Sequence, residues 1–270
     1  MQNPDRSFQE KLLLASILQT DVQNIFTGQY SLNDEQKSEY ESKKSLLAQG
    51  YPLDYLLGKV KFLEQSFIIT PDVLIPRPET EDWIFGLQHK FSNPKYQEYA
   101  LVDIGCGSGV IGLSLAKCFK KVILSDISKE ALLVAKQNSE QLNIQNTEFI
   151  QSDLLQFVLE NKVDLVDWIL IANLPYVPTA DKQFSKENNI SFEPEVAIFS
   201  GVDGLDLYRQ LVKQLEIIQL KPEKCFFELD PRNVNPAKSL LHQLYPVVEI
   251  SKDQAGLERF LSSGNTNKKN

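Results

Sequence analysis

The residues best suited to chemistry lie in short runs, each placed where an apolar stretch gives way to polar residues. Asp103-Ile-Gly-Cys-Gly-Ser-Gly109 gathers Gly105, Gly107 and Gly109 between a β-type run and a helical one. That composition permits a tight turn and lets a ligand approach the backbone closely. Asp126 closes the next apolar run, where a carboxylate can accept hydrogen bonds from both hydroxyls of a ribose. Capping of the helix ahead of Ser128 is the alternative role for it. Asp153, in Gln-Ser-Asp-Leu-Leu, stands in the same relation to a third run. It is placed either to bind an adenine amino group, with Leu154 packed on the ring, or to cap a helix. An adenosine-containing ligand satisfies all three positions. Gly107 to Gly112 also spells G-x-G-x-x-G, so a dinucleotide such as NAD fits this part of the pattern equally well.

What lies beyond separates the two. Asn173-Leu-Pro-Tyr176 leaves a fourth apolar run, at the edge where open α/β sheets bind ligands. A D-x-G-x-G-x-G loop, an acid after the second strand, Ser-Asp after the third and Asn-Leu-Pro-Tyr after the fourth together resemble the class I methyltransferases. The resemblance implies S-adenosyl-L-methionine as methyl donor and S-adenosyl-L-homocysteine as product; a dehydrogenase has no need of the fourth element. The residue types suit methyl transfer to a planar nitrogen, whose lone pair is delocalised and poorly nucleophilic. The side-chain oxygen of Asn173 and the carbonyl of Leu174 can accept both N–H groups and aim the lone pair at the methyl, in line with the leaving sulfur. Pro175 stiffens the direction of that carbonyl, and Tyr176 offers a flat wall for the planar group. The proton can leave the already cationic product, so no strong base is needed. Such loops serve adenine amino groups, glutamine amides and guanine amino groups alike. The loop therefore sets a reaction type and leaves the substrate open.

Positioning these residues is the task of the surrounding elements. From Ala100 onward, ALVDIG, KVILSD, TEFIQSD, LVDWILIANLPY, KCFFELD, VVEIS and ERFLSS alternate with helical stretches. That rhythm predicts an α/β, Rossmann-like fold with a seven-stranded, mostly parallel sheet ending in an antiparallel strand. Residues 1–55 read as a small helical domain, with Phe8, Leu12, Ile17 and Leu18 near one face and a second helix through Leu46 and Leu47. Ser31 to Asp34 resembles a capping box, and the charge alternation that follows predicts a solvated face. Residues 56–76 predict a β-hairpin linker, 77–263 the catalytic domain, and 264–270 a disordered tail. Pro78 suits a helix's first turn, with Glu79 and Glu81 near the positive end of its dipole.

Beyond the class, Pro52-Leu-Asp-Tyr-Leu-Leu-Gly58, Leu74-Ile-Pro-Arg-Pro-Glu-Thr-Glu81, the glycine loop, Asn173-Leu-Pro-Tyr176, Phe192-Glu-Pro194 and Asp203-Gly-Leu-Asp206 together resemble the peptide chain release factor N5-glutamine methyltransferases, the HemK/PrmC family. The resemblance covers nearly the whole chain. It implies a helical substrate-recognition domain ahead of the catalytic one, and methylation of the glutamine in a Gly-Gly-Gln loop of release factors. It places Gly105, Asp126, Asp153 and Asn173 on cofactor- and amide-binding positions and Arg77 and Glu79 on the cofactor side. It also makes Phe192, Glu193 and Pro194 part of the substrate mouth. The cofactor set expected overall is Asp103, Gly105, Gly107, Gly109, Asp126, Asp153, Leu154 and Asn173. The catalytic set is Asn173, Leu174, Pro175 and Tyr176. One departure stands out: the family's usual loop is N-P-P-Y, and here Leu174 replaces the first proline. Ribosomal RNA adenine methyltransferases also carry N-L-P-Y, which makes rRNA adenine N6-methylation the alternative; they lack the helical front and the I-P-R-P-E-T-E segment.

Composition supports this outline. The chain of 270 residues, 42% of them hydrophobic, can fill the core of an α/β domain with a small accessory one. A net charge of −8 gives no overall attraction to a phosphate backbone, so a nucleic-acid substrate is not expected. Cys106, Cys118 and Cys225 form no C-x-x-C pair, and His89 and His242 lie apart, which leaves little material for a metal site. No export signal or membrane span is read, so a cytoplasmic location is expected.

Overall fold

The computed structural model describes residues 6–185 and 189–264. Helices α1 (Arg6–Ile17), α2 (Val22–Phe26), α3 (Asp34–Ala48) and α4 (Leu53–Leu57) come first. They enclose a small core of Leu13, Leu14, Ala15, Ile25, Tyr40, Leu47 and Leu56. Phe8, expected on the inner face of α1, is instead exposed and packs its ring against Phe26 at 6.4 Å. The capping box of α3 lies two residues beyond Ser31. Asn33 Oδ1 accepts from the Gln36 N–H at 2.8 Å, and Gln36 Oε1 accepts from the Asn33 N–H at 3.1 Å. The first helical segment runs through position 55 to Leu57, where Gly58 terminates α4 in the left-handed conformation.

A hairpin follows, β1 (Lys59–Phe62) and β2 (Gln65–Ile68), paired antiparallel. Asn138, fully buried, fastens it: its Nδ2 donates to the carbonyls of Ile68 and Ser108, both at 2.9 Å, and its Oδ1 accepts from the Ile68 N–H at 2.6 Å. One side chain thus ties the hairpin to the glycine loop. Tyr55 Oη donates to the Val73 carbonyl at 2.6 Å, joining α4 to the segment after the hairpin. Tyr55, Ile69, Val73 and Ile75 then pack on Ala131 and Val134.

The remainder is a three-layer α/β/α unit. In chain order it comprises α5 (Pro78–Phe91), β3 (Ala100–Ile104), α6 (Val110–Leu115), β4 (Lys121–Asp126), α7 (Lys129–Gln141), β5 (Thr147–Gln151) and α8 (Gln156–Leu159). There follow β6 (Trp168–Ala172), α9 (Lys182–Ser185), α10 (Asp206–Ile217), β7 (Lys224–Glu228), α11 (Val234–Leu241), β8 (Val247–Lys252) and β9 (Glu258–Gly264). The seven-stranded sheet has the order β5-β4-β3-β6-β7-β9-β8, parallel except that β9 runs antiparallel to both neighbours. The antiparallel strand ends the chain's sheet in sequence but lies between β7 and β8 in space. Strand residues alternate between two cores. Leu101, Val122, Leu124, Ile169 and Ile171 pack under α5, α6 and α7. Val102, Ile104, Ile123, Leu170 and Phe227 pack under α8, α10 and α11. The strands read as near-continuous apolar runs because both faces are covered.

Strand order reverses between β3 and β6, since β4 and β5 extend one way and β6 and β7 the other. A crevice opens at such a switch point, beyond the carboxyl ends of the strands. Gly264, placed at the head of the expected tail, is the last residue of β9 and pairs with Lys224 and Val247; positions 265–270 lie outside the described residues. Among the described residues no helix is long and apolar enough to cross a membrane.

Candidate active site

The crevice at the switch point is a cleft of about 1040 Å³, open to solvent. It is lined by the glycine loop, the ends of β4 to β6, the segment before α5, and residues after the Asn-Leu-Pro-Tyr loop. Of the residues expected from sequence, Gly105, Gly107, Asp126, Asp153, Leu154, Asn173, Leu174 and Pro175 line it, and so does Arg77.

The glycine loop turns back on itself through the Gly109 N–H, which donates to the Cys106 carbonyl at 2.8 Å. Gly105 has φ +65°, and a Cβ there would stand 2.8 Å from Cδ2 of Leu174, itself buried. Side chain and loop thus fill one another's space, so a methyl at Gly105 would push the end of the Leu174 side chain aside and put a Cβ on left-handed backbone.

Asp126 leaves the N-cap position to Ser128 and instead accepts a backbone N–H at each carboxylate oxygen. Its Oδ2 accepts from the Gly107 N–H and its Oδ1 from the Ser128 N–H, each at 2.9 Å, so it braces the glycine loop against the start of α7. Ser128 is the N-cap, accepting from the Ala131 N–H. Burial raises the carboxyl of Asp126 above the usual range, against the opposing pull of those N–H groups. Each oxygen keeps acceptor capacity toward the cleft. Asp153 caps no helix; its Oδ2 accepts from Gln210 Nε2 at 2.8 Å, which fixes the carboxylate at the cleft edge. Leu154 follows with φ +50°, a conformation that turns the chain sharply beneath the cleft.

Several expected residues stand behind the lining. Asp103 is fully buried; Oδ2 accepts from the Gly112 N–H at 2.8 Å, and Oδ1 has no hydrogen-bond partner. Burial, opposed by the Gly112 N–H and assisted by Asp126, lifts its carboxyl to about 7. Asp103 and Gly109, the residue that opens α6, therefore shape the floor without facing a ligand. Tyr176 also lies outside the lining. Its ring packs against the core, and its carbonyl accepts from Asn233 Nδ2 at 3.1 Å. Phe192, Glu193 and Pro194 do not reach the cleft either. Glu193 is buried, accepting from Arg77 Nη2 at 2.7 Å and from the Ile75 N–H at 3.0 Å. Phe192 packs edge-on against Tyr51, ring centroids 5.1 Å apart. Glu193 holds Arg77 and Phe192 meets the helical segment, while their neighbours Val196 and Ala197 line the cleft instead.

Sequence reading missed the residues that set Asn173. Its Nδ2 lies 3.4 Å from Thr80 Oγ1, the long end of hydrogen bonding, and Thr80 Oγ1 donates to Glu228 Oε2 at 2.7 Å. Thr80 and Glu228 are 2% and 1% exposed. They come from the first turn of α5 and the last position of β7, 148 residues apart, so no local spacing could announce them. Burial, opposed by the Thr80 hydroxyl and Arg259, lifts the Glu228 carboxyl to about 7. An unfolded glutamate ionises near ~4.3. The stability linked to this group is therefore fully present below that value and is lost as pH rises through about 7. Glu228→Gln has no such loss, so its Tm relative to the parent should climb between pH 5 and pH 8. A difference that stays flat across that window in thermal melts would show Glu228 to be ionised throughout. Among the described residues no group of three or more His, Cys, Asp or Glu is arranged to hold a metal ion.

Fold and cleft together define a class I methyltransferase. Residues 96–223 match the family described as a methyltransferase domain. Solved structures share the fold: the hMettl16 catalytic domain in complex with an RNA hairpin has a TM-score of 0.59 at 14% identity, over 84% of this chain and 94% of that one. A T. thermophilus 16S rRNA N2 G1207 methyltransferase in complex with AdoMet and guanosine has 0.55 at 15%, over 77% of this chain and 49% of that one. At such identities the likeness speaks for the fold alone. The chain belongs to the release factor glutamine methyltransferase family. It is 34% identical to the Enterococcus faecalis member over 86% of this chain and 82% of that one. It is 31% identical to the Bacillus anthracis member over 93% and 90%.

Proposed function

We propose that this enzyme transfers a methyl group from S-adenosyl-L-methionine to the side-chain amide nitrogen of the glutamine in the Gly-Gly-Gln motif of peptide chain release factors. The observation that carries the reading is the position of Asn173. It lines the same cleft as the glycine loop, Asp126 and Asp153, with its Nδ2 turned to Thr80 and its Oδ1 left to accept.

The residues present suit the donor. Gly105 and Gly107 leave a cradle without side chains, Asp126 offers a ribose its free lone pairs, and Leu154 supplies an apolar surface for an adenine with Asp153 at its edge. When bound, S-adenosyl-L-methionine supplies an electrophilic methyl on a cationic sulfur; the carboxylates of Asp72, Asp126 and Asp153 give the lining a matching negative charge. Asn173 Oδ1 and the Leu174 carbonyl accept the two amide N–H groups and orient the lone pair, while Pro175 walls the site. The helical segment, residues 1–55, acts as the recognition unit for the large protein substrate, with Tyr51 packed on Phe192, four residues ahead of the cleft-lining Val196. Such a substrate places the enzyme in the cytoplasm, with no nucleic acid as methyl acceptor.

Asp126→Ala should weaken S-adenosyl-L-methionine binding by about 1.5–3 kcal/mol, the scale of hydrogen bonds to a charged acceptor. Titration calorimetry reads this directly; unchanged affinity removes Asp126 from the ribose site. The reading as a whole is tested by offering labelled S-adenosyl-L-methionine to purified release factor and to ribosomal RNA in parallel. Label is expected on the protein, and label on RNA alone would overturn it.

A further inference from the structure

An asparagine amide presents nearly the same shape when its oxygen and nitrogen are exchanged, so gripping a substrate N–H requires something that fixes which atom faces the cleft. We propose that Thr80 and Glu228 are positioning residues that set the polarity of the Asn173 amide, holding its nitrogen inward and its oxygen toward the substrate. This rests on the reading of Asn173 as the acceptor of the glutamine N–H.

With Glu228 ionised, the geometry leaves one arrangement. In its ionised form, which prevails above about pH 7, Glu228 can only accept, and at 2.7 Å it takes the single hydroxyl proton of Thr80. Thr80 Oγ1, its proton committed, can only accept from Asn173, so Nδ2 is the atom that must face it. Both groups are almost wholly removed from solvent, Thr80 touching only the cleft that Asn173 also lines. The inverted amide would set its own oxygen against the oxygen of Thr80 and present N–H groups to a substrate that itself brings N–H groups.

Glu228 also braces the other half of the amide grip. Its backbone carbonyl accepts from Tyr208 Oη at 2.6 Å, and the Tyr208 hydroxyl lies against the backbone of Leu174, in the same core. Leu174 lacks the ring that stiffens the usual proline, but its side chain fills the space beside Gly105. Asn173 through Thr80 and Leu174 through Tyr208 are thus referred to one residue at the end of β7.

The test uses the full chain with release factor and S-adenosyl-L-methionine, measuring kcat, substrate KM and cofactor affinity. Thr80→Val should lower kcat about 10- to 100-fold, the scale of a misaligned reacting group, with cofactor affinity and KM nearly unchanged. Thr80→Ser, which keeps the hydroxyl, should restore most of the rate. Thr80→Ala is a second hydroxyl-free form needing no extra room, should Thr80→Val fold poorly. If Thr80 acts through Asn173, adding Thr80→Val to Asn173→Ala should slow the enzyme no further. An equal loss in both backgrounds, or a near-normal kcat for Thr80→Val and Thr80→Ala beside an impaired Asn173→Ala, overturns the positioning role alone. A near-normal Asn173→Ala removes the reading of the loop, and this inference with it.

Discussion

Asn173→Ala should bind S-adenosyl-L-methionine with most of the parent affinity and lose about 10² to 10³ in turnover, the usual consequence of removing one preorganised polar contact at a reacting group. Binding survives because the proposed adenosine contacts fall to Asp126, Asp153 and Leu154, which line the cleft at the ends of β4 and β5. Turnover suffers because the amide then keeps only the Leu174 carbonyl and is free to swing. Asn173→Asp sharpens the point. It preserves size and acceptor positions but adds a negative charge beside the sulfonium, stabilising the charged ground state more than the transfer step. It also replaces the Nδ2 that faces Thr80 Oγ1 with an oxygen, breaking the 3.4 Å contact. Impaired turnover with retained binding is expected for both variants. Calorimetry beside single-turnover transfer separates the two effects, and near-parental rates in both would make the loop structural.

Gly204→Ala should be the most damaging single methyl outside the cleft. Gly204 sits at φ +83°, and a Cβ there would lie 2.1 Å from the Tyr176 carbonyl oxygen and 2.6 Å from Asn233 Nδ2. Neither neighbour can yield cheaply. The carbonyl belongs to the backbone of the Asn-Leu-Pro-Tyr loop, and Asn233 uses that same amide to hold both the Tyr176 and Asp203 carbonyls at 3.1 Å. Left-handed backbone in a residue with a Cβ costs roughly 1–2 kcal/mol, and a buried hydrogen bond left unmade adds about 1–3 kcal/mol. A loss of about 2–5 kcal/mol is expected, which lowers Tm by roughly 4 °C or more for a unit of this size. Methyl transfer should fall further than the unfolded fraction explains, because the backbone that moves carries Leu174 and Pro175. A variant with parental Tm and rate would show that the loop tolerates a shifted Tyr176 carbonyl.

The strands were legible because burial on both faces demands long apolar runs: Trp168–Ala172, every residue buried, is written Trp-Ile-Leu-Ile-Ala. The glycine loop, Asp126 and the Asn-Leu-Pro-Tyr loop were legible because their chemistry is local, each following directly on a strand. Helix faces were read less well. Leu13, Leu14 and Ala15 are the buried residues of α1, while Phe8 lies exposed beside Phe26 of the neighbouring short helix. The capping box was misplaced by two residues because Ser-x-x-Asp at 31–34 mimics one, while Asn33 and Gln36 make both of the bonds. Phe192-Glu-Pro194 was expected at the mouth, yet the partners of Glu193 lie at Ile75 and Arg77, more than a hundred positions away. Thr80 and Glu228 were out of reach for the same reason. Through-space partners on separate elements leave no periodicity to read.

The central claim concerns one nitrogen atom, and tandem mass spectrometry of the methylated product addresses it most directly. Release factor treated with the enzyme and S-adenosyl-L-methionine should carry a single added methyl on the side-chain amide of the glutamine in its Gly-Gly-Gln loop, and far less of it after the same time with Asn173→Ala. A methyl mapped to a lysine, a chain terminus or any residue outside that loop would contradict the account.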